Sequence, residues 1–158
     1  MAGIPALLQP AAHAFIMARE DVAAAAADLS IDQLWARPGG AASIGFHIAH
    51  LSGATDRLLT YARGEALSES QKAALGYERD IATIRPSVVE LVAAWHRAVD
   101  AALAHLAATP ESAVSDARFV GKAQLPSTVL GLIFHAAEHA SRHTGQIVTT
   151  AKVVRAST

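Results

Sequence analysis

Cysteine is absent from the chain, which excludes disulfides and every metal site built on thiolates. Aromatic residues make up only 5% of it, so a core has to come from aliphatic side chains and alanine. Neither sign of charge dominates: the formal net charge is −1 with acids and bases interspersed. No basic surface therefore argues for a nucleic-acid partner. No window approaches the roughly 18 uninterrupted apolar residues of a membrane span, and none is expected. The start, Met1-Ala-Gly-Ile-Pro-Ala-Leu-Leu-Gln-Pro10, lacks a basic leader and is broken by proline, unlike a secretory signal. These absences point to a cytoplasmic protein with no membrane attachment.

What is present in quantity is alanine and histidine. A length of 158 residues suits one domain, residues 1–158, with a sizeable core. Alanine is the strongest helix former, and its small side chain lets helices approach closely. The apolar positions follow helical spacing. Ile4, Leu8, Ala11, Phe15, Ala18, Val22, Ala25 and Leu29 alternate steps of four and three, which predicts a first helix from about Pro10 to Leu29. Trp35, Pro38, Gly39 and Gly40 then interrupt the pattern. Ser43 is an N-cap candidate for a second helix reaching Arg63, with Gly64 as its stop. Its apolar side reads Ile44, His47, Ile48, Leu51, Ala54 and Leu58.

Residues 64–84 are polar and read as a long connection with room for a short helix. Pro86 suits the first turn of a third helix, whose seam is Val88, Val92, Trp95, Val99, Ala102 and Leu106. Residues 109–125 form a second long connection. Pro126, Ser127 and Thr128 open the last helix, with Val129, Ile133, Ala136, Ala140, His143, Ile147, Thr150 and Val154 as its seam. Four amphipathic helices and almost no strand signal predict an all-α fold, a four-helix bundle with long crossover connections.

Eight histidines are present, and five fall on the second and fourth helices. A lone histidine on an apolar face is ordinarily a core residue with a satisfied hydrogen bond, the reading for His13, His96 and His105. The last helix is different. His135, His139 and His143 recur every four residues and stack along one side. At 1.5 Å rise per residue, His135 and His143 are about 12 Å apart along the axis, too far to share one tetrahedral ion. Adjacent members of the row can share one, so the spacing implies a chelating pair, His139 with His143. The third ligand must then come from another segment, and His50 or His47 on the second helix is the natural supplier. Three imidazoles with an open fourth position make a catalytic rather than a structural site.

The run His135-Ala-Ala-Glu138-His139 also fits an inverted zinc-peptidase pattern, with Glu138 as general base. Such enzymes need a further acidic ligand downstream, and no Asp or Glu follows Glu138. Asp56 lies six residues past His50, on another side of the helix, and suits a salt bridge to a neighbouring helix.

Two motifs together carry a family resemblance. Ser43-Ile-Gly-Phe-His47-Ile-Ala-His50-Leu, followed by Asp56-Arg57, resembles the second-helix motif of the DinB/YfiT-like superfamily of metalloenzymes. His135-x3-His139-x3-His143-x-Gly145-Gln146-Ile resembles that family's last-helix motif, and the likeness spans essentially the whole chain. It implies up-down-down-up connectivity and a divalent metal ion, commonly nickel or zinc, near one end of the bundle. The implied ligands are His50, His139 and His143. His47 does not match the ligand column, and His135 matches a recurrent histidine one turn earlier; both become pocket or outer-sphere residues. Gln146, one turn past His143, could orient that ring or a water, and Gly145 allows close backbone approach or pocket space. The resemblance further implies a small-molecule substrate, a low-molecular-weight thiol as cosubstrate, S-transferase or hydrolase-type chemistry, and a homodimer. The competing reading is a non-catalytic helical bundle that binds a ligand or partner.

Overall fold

The computed structural model describes residues 1–121 and 123–157. It contains α1 (Gln9–Ala26), α2 (Ile31–Trp35), α3 (Ile44–Ala62), α4 (Glu69–Ile84), α5 (Val88–Ala108), β1 (Ala117–Val120), β2 (Leu125–Thr128) and α6 (Val129–Ala156). The chain is thus mostly helical with a small two-stranded sheet. α3 and α6 pack against each other, α1 packs on both α5 and α6, and α5 also packs on α3. The four long helices thereby enclose one hydrophobic cluster.

The seams explain this arrangement. Every position of the expected first seam, Ile4 through Leu29, is buried, although α1 itself ends at Ala26. On α5, Trp95, Val99, Ala102 and Leu106 are buried, with Leu91 added to the row. Trp95 is the largest fully buried side chain, and its indole N–H points to the Ala18 carbonyl of α1 at 3.5 Å. On α6, Val129, Ile133, Ala136, Ala140, Ile147 and Val154 are buried, as expected.

The helix that matters most is bounded sharply. The Ser43 hydroxyl accepts from the Phe46 N–H and starts α3. At the other end, Gly64 takes φ +78°, while the Gly64 and Glu65 N–H groups return to the Tyr61 and Thr60 carbonyls. That is the paired bond pattern of a left-handed helix stop. Near its start, a Cβ at Gly45 would lie 2.7 Å from the Trp35 ring. Glycine therefore lets α2 lie directly on α3. The Trp35 indole N–H also donates to the Pro86 carbonyl, tying the start of α3 to the start of α5.

Several expectations need correcting. Residues 64–84 are not chiefly connection: most form the 16-residue α4. Only Glu78 and Ile81 of that helix are buried, so it carries no apolar stripe to reveal it. Its capping box, Ser68 with Gln71, is the local reason it forms. Pro86 precedes the N-cap Ser87 instead of entering the first turn of α5. Pro126 lies in β2, opposite Phe119 of β1 in an antiparallel pair, and Thr128 caps α6. A two-stranded ribbon tolerates proline because each strand has a free edge. His13 is exposed. His96 and His105 are half-buried, and the Nε2 atom of each is buried without a hydrogen-bond partner among the described residues, contrary to the satisfied core role. No helix among the described residues is long and apolar enough to cross a membrane.

Candidate metal centre

The contact between α3 and α6 sets histidine against histidine. α3 contributes His47 and His50, three residues apart, and α6 contributes His139 and His143, four apart; both spacings place the pair on one helix face. His50 Nε2 lies 3.0 Å from His139 Nε2. The His143 ring centroid is 4.4 Å from that of His139 and 4.9 Å from that of His50. One ring nitrogen from each of His50, His139 and His143 lies within 4.8 Å of the other two.

This donor set fits a metal ion. An ion bonded to two imidazoles at 2.0–2.1 Å holds their nitrogens about 2.9–3.4 Å apart, depending on the bond angle. The His50–His139 separation falls in that interval. Three imidazoles suit zinc, nickel, copper or iron, provided each is unprotonated. For His139 and His143 the surroundings favour that state. Burial, followed by the charges of His139, His50 and His47, lowers His143 to about 4. Burial and His50 also lower His47, and burial, His50, His135 and Arg142 lower His139 against the opposing pull of Glu138.

His47 and His50 have distinct places. His47 is buried, and its Nδ1 is 2.9 Å from His143 Nδ1; it touches the group through His143. His50 faces His139 directly. Phe46 lies parallel to the His50 ring and edge-on to His47, each at 5.7 Å between centroids, covering that side of the cluster.

The remaining expected residues stand further out. His135 is exposed, its ring 5.9 Å from His139. Glu138 is engaged by Arg142 one turn on, through both Nε and Nη2, an arrangement that leaves little for the peptidase pattern to use. Gln146 is exposed and makes no hydrogen bond to His143 among the described residues. It lines an open cleft of about 610 Å³ with His47, Arg142 and Gly145. A Cβ at Gly145 would meet nothing within 4 Å, so this glycine widens the cleft instead of permitting a close backbone approach. Asp56 does link two helices, but its partner is the neutral side-chain amide of Gln71, at 2.7 Å, and not a cation.

Sequence reasoning missed Glu78, and it named Arg57 only as part of a motif without a role. Glu78 of α4 is buried, with one carboxylate oxygen 3.1 Å from His50 Nδ1. Arg57 of α3 grips both oxygens of the same carboxylate. Burial works to raise the Glu78 pKa, yet the hydrogen bonds from His50 and Arg57 and the charge on Arg57 bring it below the usual carboxylate range. Glu78 is therefore ionised at neutral pH. The only sequence signal for its proximity was the Ser68–Gln71 capping box, which announces α4 without saying where it docks.

The sequence profile of the DinB superfamily matches residues 14–147, a span that includes all four histidines of the cluster. No curated protein matches the sequence.

Proposed function

The chain belongs to the DinB superfamily, and from that premise we propose a divalent-metal-dependent enzyme acting on a small molecule. The ligands in this reading are His50, His139 and His143, and the observation that carries it is their convergence across the α3–α6 contact. When bound, zinc or nickel would supply a Lewis acid that lets a water or a thiol lose its proton near neutral pH. The protein's own part is to present three imidazoles and to keep their rings fixed. Glu78 restrains His50, and His47 restrains His143. Phe46 covers one side of the cluster, and the cleft beside Gln146 and Arg142 reaches His47, the neighbour of His143.

Thiol-dependent S-transfer ranks ahead of hydrolysis in this reading. A chain without cysteine suits a thiol that arrives as cosubstrate, such as mycothiol, bacillithiol or glutathione. The same reading takes residues 1–158 as one domain, a four-helix bundle in which α1, α3, α5 and α6 run up-down-down-up. The long segment of residues 63–87, between the two parallel helices α3 and α5, gives room for the crossover. It also places the protein in the cytoplasm as a homodimer, since alanine-rich helix faces support close helix association.

The test uses protein purified without a histidine tag. One equivalent of metal, together with metal-dependent consumption of one of the three thiols in the presence of a small electrophile, is the expected result. Protein that takes up no zinc or nickel would favour the non-catalytic bundle. Metal-dependent hydrolysis without thiol consumption would keep the metal reading and replace S-transfer.

A further inference from the structure

We propose that Glu78 is a positioning residue for His50, held in that role by Arg57 and by the missing side chain at Gly53. The proposal rests on the reading of His50 as a metal ligand, and it assigns a task to three residues outside the histidine cluster.

The chemistry starts from a carboxylate whose two oxygens are both paired by the Arg57 guanidinium. A carboxylate without its proton only accepts hydrogen bonds, so the His50 nitrogen facing it, Nδ1 at 3.1 Å, must carry the hydrogen. In neutral imidazole the other nitrogen then has a free lone pair. That nitrogen, Nε2, is the one 3.0 Å from His139 Nε2. Glu78 thereby selects the tautomer whose lone pair faces the point where the three rings meet, and it fixes the ring's rotation. Outer partners of metal-bound histidines do both.

The carboxylate is itself prevented from turning. Arg57 lies two turns beyond His50 on α3. Its Nη1 reaches Glu78 Oε1 at 2.5 Å and its Nη2 reaches Oε2 at 3.2 Å. A two-point grip of this kind sets the plane of the carboxylate as well as its position. Oε2 is thus shared between Arg57 and His50, and α4 is coupled to the ring.

Gly53 supplies the space. It lies between His50 and Arg57 on α3, where glycine normally weakens a helix relative to alanine. A Cβ there would lie 2.0 Å from Glu78 Oε1 and 2.6 Å from Arg57 Nη1. The carboxylate therefore occupies the volume a side chain at residue 53 would fill. Alanine at this position would favour the helix locally and still displace the acid.

The test has two readouts on the 158-residue chain. The first is the long-range ¹H–¹⁵N spectrum of the histidine rings in metal-free protein at neutral pH, with His50 assigned by comparison with His50→Ala. The Nδ1–H form of His50 is expected in the wild type, and a mixture of tautomers in Glu78→Ala and Gly53→Ala. The second is zinc affinity by competition with a chromogenic chelator. Both variants should bind zinc about 10–100-fold more weakly, the usual effect of removing an outer partner. Glu78→Gln, which keeps the volume and one acceptor oxygen, should fall between them and the wild type, and it serves if the alanine variants fail to fold.

An Nε2–H tautomer of His50 in the wild type would overturn the proposal. So would unchanged zinc affinity in folded Glu78→Ala and Gly53→Ala. If the wild type takes up no zinc, the metal reading fails, and the ring spectra alone still decide whether Glu78 sets the tautomer.

Discussion

His143→Ala is expected to abolish stoichiometric metal binding, because His143 stands at the centre of the cluster. Its ring is close to both His139 and His50, and its Nδ1 reaches His47. Removing it leaves two imidazoles, and the loss in affinity should exceed the about 10–100-fold that an outer partner contributes. The effect is visible without an activity assay. A ligand present at about 1,000 times its dissociation constant stabilises a folded protein by about 4 kcal/mol. Zinc should therefore raise the melting temperature of the wild type and leave that of His143→Ala unmoved. Two neighbours make useful controls. His135→Ala should retain the zinc-induced shift, since His135 is exposed beside the group. His47→Ala should retain one equivalent of metal at reduced affinity. Loss of all metal from His47→Ala with full retention in His50→Ala would reverse the ligand assignment.

Acid should destabilise the metal-free protein between about pH 6.5 and 4. The sign follows from where protons bind. Burial and three neighbouring histidines lower His143 to about 4 in the fold, while the unfolded chain protonates it near the ordinary value of about 6.5. Above pH 6.5 both states are neutral and the stability is fully present. As pH falls, the unfolded state binds protons first, and stability drops until His143 titrates in the fold as well. One pKa unit corresponds to about 1.4 kcal/mol. His143 alone should then account for on the order of 1–3 kcal/mol once solvent screening of a half-buried group is allowed for. His139 and His47 are lowered in the same direction and should deepen the loss. Urea unfolding at a series of pH values measures it, and His143→Ala should show a shallower dependence. A flat profile across this interval would mean that the imidazoles are not held neutral by the fold.

How much of this was legible in the sequence depends on what each residue's pattern can express. The seam of α1 was legible to the residue, because Ala11, Phe15, Ala18, Val22 and Ala25 repeat at a spacing that one helix face satisfies, although Ile4, Leu8 and Leu29 of the same row are buried outside the helix. The His139–His143 pair was legible for the same reason, since spacing along one helix fixes relative position. The third member was not. His47 and His50 are three residues apart and equally able to face a partner helix. What separates them is the rotation of α3 against α6, which places His50 on His139 and His47 on the outer side of His143. No periodicity encodes that rotation; the family resemblance, not the spacing, singled out His50.

α4 was read as no more than a short helix within a connection, because its buried face is a carboxylate and one isoleucine. A helix docked by Glu78 and Ile81 looks in sequence like a solvated linker. Arg57 and Glu78 are 21 residues apart, and nothing in their spacing pairs them; only the docking of α4 on α3 makes them a buried pair. The β1–β2 hairpin is similarly silent, with four residues per strand and no alternating apolar pattern. Asp56 was placed correctly at a helix-to-helix contact, but a charge in a sequence does not reveal that its partner will be an amide.

The central claim is that His50, His139 and His143 share one ion, and anomalous diffraction from crystals grown with zinc tests it most directly. The account predicts a single strong peak at the zinc edge, about 2.0–2.2 Å from one nitrogen of each of the three rings, with His50 Nδ1 still turned toward Glu78. A peak held by His47 and His143 without His50, or no peak within reach of the α3–α6 contact, would contradict it.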